Sequence, residues 1–333
     1  MSKIKKLTYL LLALLIVACS GDETKWNDLI KSDLKGKVKS LTEKSYKAID
    51  KFGEITKSDT EKFYDGRFRK FNNKGNVIED NFFNSDYNPM PTNLTYKYDD
   101  NGNKIEYNTP RYKTTYKYDD KGNEIEIIKY YQSGKIKSKR TYKYDDERNK
   151  IEYNKYENRS LDYKYIYKYD DNGNRLESNK YNSDGILVTK ETWKYDDKGN
   201  ILEFNNYDSD GVLDYKSILK YDDKGNTIER NAYNSDGYSR KRTRSETYKY
   251  DDKGNKIEYN KYNADDGSLI ESETYKYDDK GNEIENTTLN ADGYVKWKFN
   301  YKYNYDKNNN WINKIILTDG IPYSITEREI VYY

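Results

Sequence analysis

Apolar and polar residues alternate along most of this chain, in short runs broken by clusters of Asp, Asn and Gly. The phrase "TYKYDDKGNEIE", from Thr115 to Glu126, shows the unit. "TYKYD" alternates and is rich in strand formers, "DDKGN" carries turn residues, and the chain then alternates again. A second turn of the type "NSDG" or "NADG" follows, where Gly accepts positive φ and Asn or Asp caps the turn. The pattern predicts strand, turn, strand, turn. Indexed by the tyrosine before the aspartates, it recurs at Tyr98, Tyr118, Tyr144, Tyr169, Tyr195, Tyr221, Tyr250 and Tyr277. Degenerate copies stand at Phe71 and Tyr305, and spacings of roughly 20–29 residues mark a repeat architecture.

The columns of this repeat argue for a register. Lys precedes the index residue in nine of ten copies, and Glu follows the apolar slot of the second strand in the same nine. A loop of two or four residues would pair Tyr144 with Ile151 and Lys143 with Glu152. One face would then be tyrosine and isoleucine, the other Lys–Glu, with opposite charges facing across strands. Twelve residues after the index a further aromatic column holds Tyr156, Tyr181, Tyr207, Tyr233 and Tyr262. A regular strand would carry these rings on the charged face, where they could stack on sugars; a bulge would return them to the packing.

About ten copies of two strands would make a meander on the order of 100 Å wide at about 4.8 Å per strand. The expectation is an all-β fold of tandem β-hairpins forming an elongated, curled antiparallel meander or solenoid, with an N-terminal signal helix. The expected divisions are a signal peptide over 1–18 and a lipidated tether over 19–34. Divergent cap strands follow over 35–70, then the hairpin repeats over 71–317 and a C-terminal cap strand over 318–333.

The signal reading rests on Lys3, Lys5 and Lys6 before the apolar run Leu7–Val17, which is too short for a membrane span. The run ends in Ile-Val-Ala-Cys, which resembles the lipobox of bacterial lipoproteins. Cys19 is the sole cysteine, so it forms no intrachain disulfide and stands where a lipid thiol is wanted. Acyl chains there would hold the protein on a membrane surface.

Composition changes one point. A chain that is 35% charged and 34% hydrophobic reads as disordered until its 40 tyrosines are counted. Tyrosine supplies large rings with polar tips, so any core is largely tyrosine. The 60 basic and 58 acidic residues interleave, a zwitterionic surface without the footprint of a nucleic-acid binder. Arg240–Arg244, the one basic cluster, reads as a solvated strand.

Chemistry is sparse. The chain has no histidine, which removes histidine triads and histidine metal sites. Its glycines sit singly in turns and form no phosphate loop. The acidic pairs recur at every hairpin, as turn caps do, whereas catalytic acids form a unique pair. The turn "DSDG" at Asp208–Gly211 offers oxygen ligands but fits no calcium loop. No catalytic residue, metal site or cofactor is expected.

The phrase "KYDDKGNxIE" resembles the YD repeats of the RHS family, whose core is Tyr-Asp-x-x-Gly-x before a short apolar strand. The resemblance implies hairpin arrays that wrap into shells; some members are toxin cocoons, others surface adhesion or carbohydrate-binding proteins. The Asp-Pro-x-Gly motif of the long toxin-bearing members is missing, and the chain is more similar to short, lipid-anchored YD-repeat proteins of Gram-negative envelopes. The expectation is a non-enzymatic lipoprotein of the outer membrane, exposed at the cell surface, held by lipid on Cys19 and binding polysaccharide or a protein. Alternatives are an envelope spacer and an accessory or immunity-like partner of an RHS-type toxin system.

Overall fold

The computed structural model describes residues 27–58, 65–83, 93–235 and 240–333. Among them are one short helix, α1 (Asp28–Lys31), and 23 strands. The first four strands are β1 (Val38–Lys51), β2 (Glu54–Lys57), β3 (Asp65–Phe71) and β4 (Val77–Phe83). The series runs on in hairpins from β5 (Leu94–Tyr98) to β23 (Ile321–Tyr332). The predicted signal segment and Cys19 lie outside the described residues.

The expectation of an open, curled meander or solenoid is wrong: the sheet closes. β1 pairs antiparallel with β3 on one side, Ser40 opposite Lys70 through Ser45 opposite Asp65. On its other side it pairs with β23, Leu41 opposite Ile330 through Lys47 opposite Ser324. From β3 to β23 every strand pairs with its chain neighbours, so 22 strands form a closed antiparallel barrel. The short β2 folds back on the end of β1 alone. Closure removes the two bare edges that a meander would expose. The segments expected as caps supply β1, β2, most of β3 and β23, and so make the seam.

Each hairpin is built as the alternation predicted, with one correction. The Asp119 N–H donates to the Asn123 carbonyl at 2.9 Å and the Gly122 N–H to the Asp119 carbonyl at 3.0 Å. Gly122 sits at φ +82, as a type I turn closed by a left-handed residue requires. Asp119 Oδ1 accepts the N–H groups of Lys121 and Asn123, so the turn acid acts as a cap. This turn leaves five residues between paired strand ends, not two or four. Tyr144 therefore stands opposite Lys150, while Lys143 still stands opposite Glu152. Ile151 is the extra residue of a bulge between them and is 37% exposed, not packed against Tyr144.

The two faces of the wall differ. Paired residues drift away from the Asp-Gly turns from strand to strand, Lys113 facing Tyr130 and Tyr130 facing Ile136. Given the right-handed twist of strands, that drift turns Lys117 and Glu126 outward and Tyr116 and Tyr118 into the lumen. The lysines before the index tyrosines are accordingly open, with side chains 62–70% exposed.

The lumenal rings pack in cross-strand pairs, Tyr96 on Tyr107 at 4.9 Å and Tyr142 on Tyr153 at 5.3 Å between centroids. Index tyrosines reach the preceding hairpin: the phenol O–H groups of Tyr118, Tyr144 and Tyr169 donate to the carbonyls of Lys104, Glu124 and Lys150, each at 2.8 Å. Tyr98, Tyr195, Tyr221, Tyr250 and Tyr277 repeat the contact at 2.8–2.9 Å. Burial pushes the phenols of Tyr118 and Tyr144 up to about 12, so they stay donors.

At one end of the barrel the N-terminal segment lies along the strands that flank the seam. Asn27 caps α1 by accepting the Ile30 N–H, and its amide donates to the Lys74 carbonyl. Leu29 and Leu34 pack with Val38, Leu41, Phe71 and Val77 in a compact apolar cluster. The segment then reaches the turn before the last hairpin, where the Lys35 N–H donates to Asn310 Oδ1 at 2.7 Å. The seam itself holds a buried ionic cluster. Glu43 on β1 accepts from Arg69 Nη2 on β3 and Arg328 Nε on β23, both at 3.0 Å.

Candidate ligand-binding face

The outward face is an ordered array of charges and rings. Eight Lys–Glu pairs run along it at 2.7–3.1 Å, from Lys97–Glu106 to Lys276–Glu285. The Lys and Glu columns of the repeat account for these pairs but not for a second lysine. Five residues before the index, Lys113, Lys139, Lys190 and Lys216 reach Glu106, Glu126, Glu177 and Glu203 from the flanking strand at 2.6–2.8 Å. The signal was present as a Lys five residues before the index in these copies, with Ser245 and Ser272 in its place in two others. Held between lysines, the carboxyls of Glu106, Glu177 and Glu285 fall to about 2. For Glu203 burial opposes the shift most strongly, yet Lys216, Asn205 and Lys194 still bring it to about 2.

The five predicted tyrosines lie on this outward face. Tyr156 follows Glu152 without interruption on β10 (Lys150–Glu157), so alternation keeps both on one side. The bulge that could have turned the ring inward sits on the neighbouring strand, where Asp162 is the extra residue. Tyr181, Tyr207 and Tyr262 repeat the arrangement, and Tyr233 stands at the same place. All five are half-buried.

Each ring has fixed neighbours. On the preceding strand Lys139, Lys164, Lys190 and Lys216 face Tyr156, Tyr181, Tyr207 and Tyr233, and Ser245 faces Tyr262. On the following strand Leu161, Leu187, Leu213 and Leu269 face Tyr156, Tyr181, Tyr207 and Tyr262. Sequence reasoning missed these leucines, because the bulge places them beside the rings. The result is a stripe of Lys–Tyr–Leu steps near the second turns, with rings about 9.6 Å apart per hairpin. Lys164 Nζ lies 5.3 Å from the Tyr181 centroid.

This outward wall suits water, not acyl chains. A lysine facing lipid at mid-bilayer costs about 2–4 kcal/mol, and Lys139, Lys190 and Lys216 stand near the middle of their strands on this face. Among the described residues no helix is long and apolar enough to cross a membrane. No group of three or more His, Cys, Asp or Glu side chains is placed to hold a metal ion among them either. The acid of the "DSDG" turn is engaged by backbone: Asp208 Oδ1 accepts the N–H groups of Asp210 and Val212, both at 2.9 Å.

No family model matches the chain, and no curated protein does. Among solved structures it is similar to the Tc holotoxin pore of Photorhabdus luminescens, with a TM-score of 0.41 and 12% identity over 80% of this chain. It is also similar to TcdB2–TccC3 without its hypervariable C-terminal region, with a TM-score of 0.40 and 12% identity over 93% of this chain. The chain spans 16–17% of the length of those structures. A porin-like protein from Bacteroides uniformis is matched with a TM-score of 0.28 and 9% identity, over 88% of this chain and 96% of that one. Likenesses this loose concern the strand architecture and say nothing of activity or partners.

Proposed function

We propose that this protein is a non-enzymatic, lipid-anchored envelope barrel whose outward tyrosine stripe binds a repetitive glycan. The observation that carries the reading is the in-register column Tyr156, Tyr181, Tyr207, Tyr233 and Tyr262, half-exposed on the outward face. Rings at a constant step offer stacking platforms to a polymer with a repeat of its own, and the flanking lysines and glutamates offer hydrogen bonds to hydroxyls. The anchoring geometry fits. Asn27 docks at the turn of Lys74, at the barrel end that carries the Asp-Gly turns. Lipid on Cys19 would hold that end toward an outer membrane and leave the stripe, near the opposite turns, facing away from it.

The test is a pull-down of the cell's own surface polysaccharide with wild type and with a variant carrying Tyr→Ala at the five positions. Loss of capture with an unchanged far-ultraviolet circular dichroism spectrum supports the reading; unchanged capture removes it. Protease shaving of intact cells checks the location, and full protection excludes a surface role.

A second reading, a protein partner, is favoured by one patch. Tyr294, Val295, Trp297, Ile321 and Tyr323 are 54–73% exposed around two adjacent turns at the end away from the anchor. Large exposed apolar groups gathered in one place mark interaction surfaces. Capture of one protein in place of polysaccharide would select this reading, which includes the accessory role in a toxin system.

A further inference from the structure

The lumenal face has columns of its own. Two residues before the index stands a tyrosine, as at Tyr116, Tyr142, Tyr167, Tyr248 and Tyr275. Six residues after it stands a charged residue, as at Glu124, Lys150, Arg175 and Lys256. Both columns break together in two adjacent copies. Trp193 and Leu219 take the tyrosine places, and Ile201 and Thr227 take the charged ones. A paired break on neighbouring strands makes one stretch of the wall unlike the rest.

The break forms an open depression of about 450 Å³, within the size range of small-molecule sites. Its apolar floor holds Trp193 and Phe204, with ring centroids 5.4 Å apart, beside Ile201 and Leu219. Ser217 and Thr227 add hydroxyls to the lining.

One arginine, Arg230, lines it; a second, Arg175, lies outside the lining, against the Trp193 ring, and the two differ in one respect. Arg230 is engaged, donating from Nη2 to the Tyr215 hydroxyl at 3.1 Å and from Nε to Ser217 Oγ at 3.4 Å. Arg175 is not. Its guanidinium lies 4.6 Å from the Tyr167 centroid and 5.6 Å from that of Trp193, and its buried Nε has no hydrogen-bond partner. Among the described residues no carboxylate forms an ion pair with it. Glu191 stands on the same face two residues before Trp193, yet the two are not paired. A guanidinium partly withdrawn from water without an acid calls for an anion.

We propose that this lumenal site binds a uronic-acid unit, a sugar ring bearing a carboxylate. The apolar side of the ring lies against Trp193 and Phe204, and the carboxylate takes the fork of Arg175 beside the Trp193 ring. The site is on the opposite side of the wall from the outward tyrosines and does not depend on them.

The test uses the full-length lipoprotein in detergent, titrated with an oligogalacturonate and with neutral galactose oligomers, followed by tryptophan fluorescence and calorimetry. The acidic oligomer should bind saturably and more weakly as salt rises, and the neutral one should not bind. Arg175→Gln should weaken binding about tenfold or more, the loss expected for hydrogen bonds to a charged group. Trp193→Ala should weaken it and remove the fluorescence change. The five-tyrosine outward variant should bind the acidic oligomer as wild type does, which separates this site from the outward reading. Absence of saturable binding, equal binding of the neutral oligomer, or wild-type affinity in folded Arg175→Gln would each overturn the proposal. If Arg175→Gln does not fold, Arg175→Lys carries the test: it keeps the charge but loses the fork, and unaltered affinity would count against the site.

Discussion

Replacing Glu43 by Gln should loosen the barrel at its seam. Glu43 on β1 joins β3 and β23, with a 3.0 Å bond to Arg69 on one side and another to Arg328 on the other. The arginine side chains are 10% and 9% exposed and that of Glu43 is 20% exposed. Arg328 also lies with its guanidinium 3.3 Å from the Trp311 ring centroid, so it has little access to water. Burial lowers the pKa of Arg328, and Glu43 is the main group working against that. Gln keeps the shape but removes the charge and deprives two crowded guanidiniums of their shared carboxylate. Breaking a buried pair in this way costs about 3–5 kcal/mol. At an unfolding entropy of about 2.1 cal/mol/K per residue, a chain of this length would lose about 4–8 °C of Tm. Differential scanning calorimetry reads the shift. Hydrogen exchange should place the faster opening in β1, β3 and β23, not in the middle hairpins. Combining Glu43→Gln with Arg328→Gln should cost less than the two singles added, by at least about 1 kcal/mol. A Tm within a degree of wild type, with additive singles, would refute the idea that this cluster closes the sheet.

Two further outcomes follow from the turns and the charges. Gly75 and Gly122 share the same left-handed φ, +80 and +82. A Cβ on Gly75 would meet Asn27 Nδ2 at 2.5 Å and Leu29 at 3.0 Å, whereas one on Gly122 meets nothing within 4 Å. Gly122→Ala should therefore cost about 1–2 kcal/mol from backbone strain alone, and Gly75→Ala more, with the segment of α1 becoming sensitive to limited proteolysis. Stability should also fall at both extremes of pH. The carboxyls of Glu106, Glu177, Glu203 and Glu285 are depressed to about 2, so their contribution is complete above the usual carboxylate range and is lost as pH falls toward 2. The phenols of Tyr118, Tyr144, Tyr167 and Tyr303 are raised to about 12, so their contribution is complete below 10 and is lost as pH climbs toward 12. Urea midpoints across pH would check both limbs; a flat profile from neutral pH to pH 3 would contradict the first.

Local pairing was legible in the sequence because its causes are local. Lys117 and Glu126 sit nine residues apart around a turn whose Asp and Gly set its geometry, and they meet at 2.8 Å. The bulge at Ile151 was not legible, since a five-residue loop with a bulge and a four-residue loop without one bring Lys143 and Glu152 together equally well. The side of the wall taken by Tyr156 depended on which strand of the second hairpin carries the extra residue, and Asp162 does not announce it. Closure was hidden for a different reason. It joins Tyr46 to Ile325 and Ser45 to Thr326, in segments that carry none of the repeat, across almost the whole chain. Arg175 was equally silent, because a lysine-like charge in its column looks ordinary until its missing partner is seen.

Closure is what gives the wall an inside and an outside, and a cross-link tests it. Ser45 and Thr326 face each other across the seam with hydroxyl oxygens 3.0 Å apart. In a Cys19→Ser background, Ser45→Cys with Thr326→Cys should oxidise to an intramolecular disulfide in nearly every folded molecule, giving a faster band on a non-reducing gel. An open meander would hold the two positions on the order of 100 Å apart. Free thiols, or cross-links formed only between molecules, would contradict the closed barrel and with it the separation of an aromatic lumen from an ionic exterior.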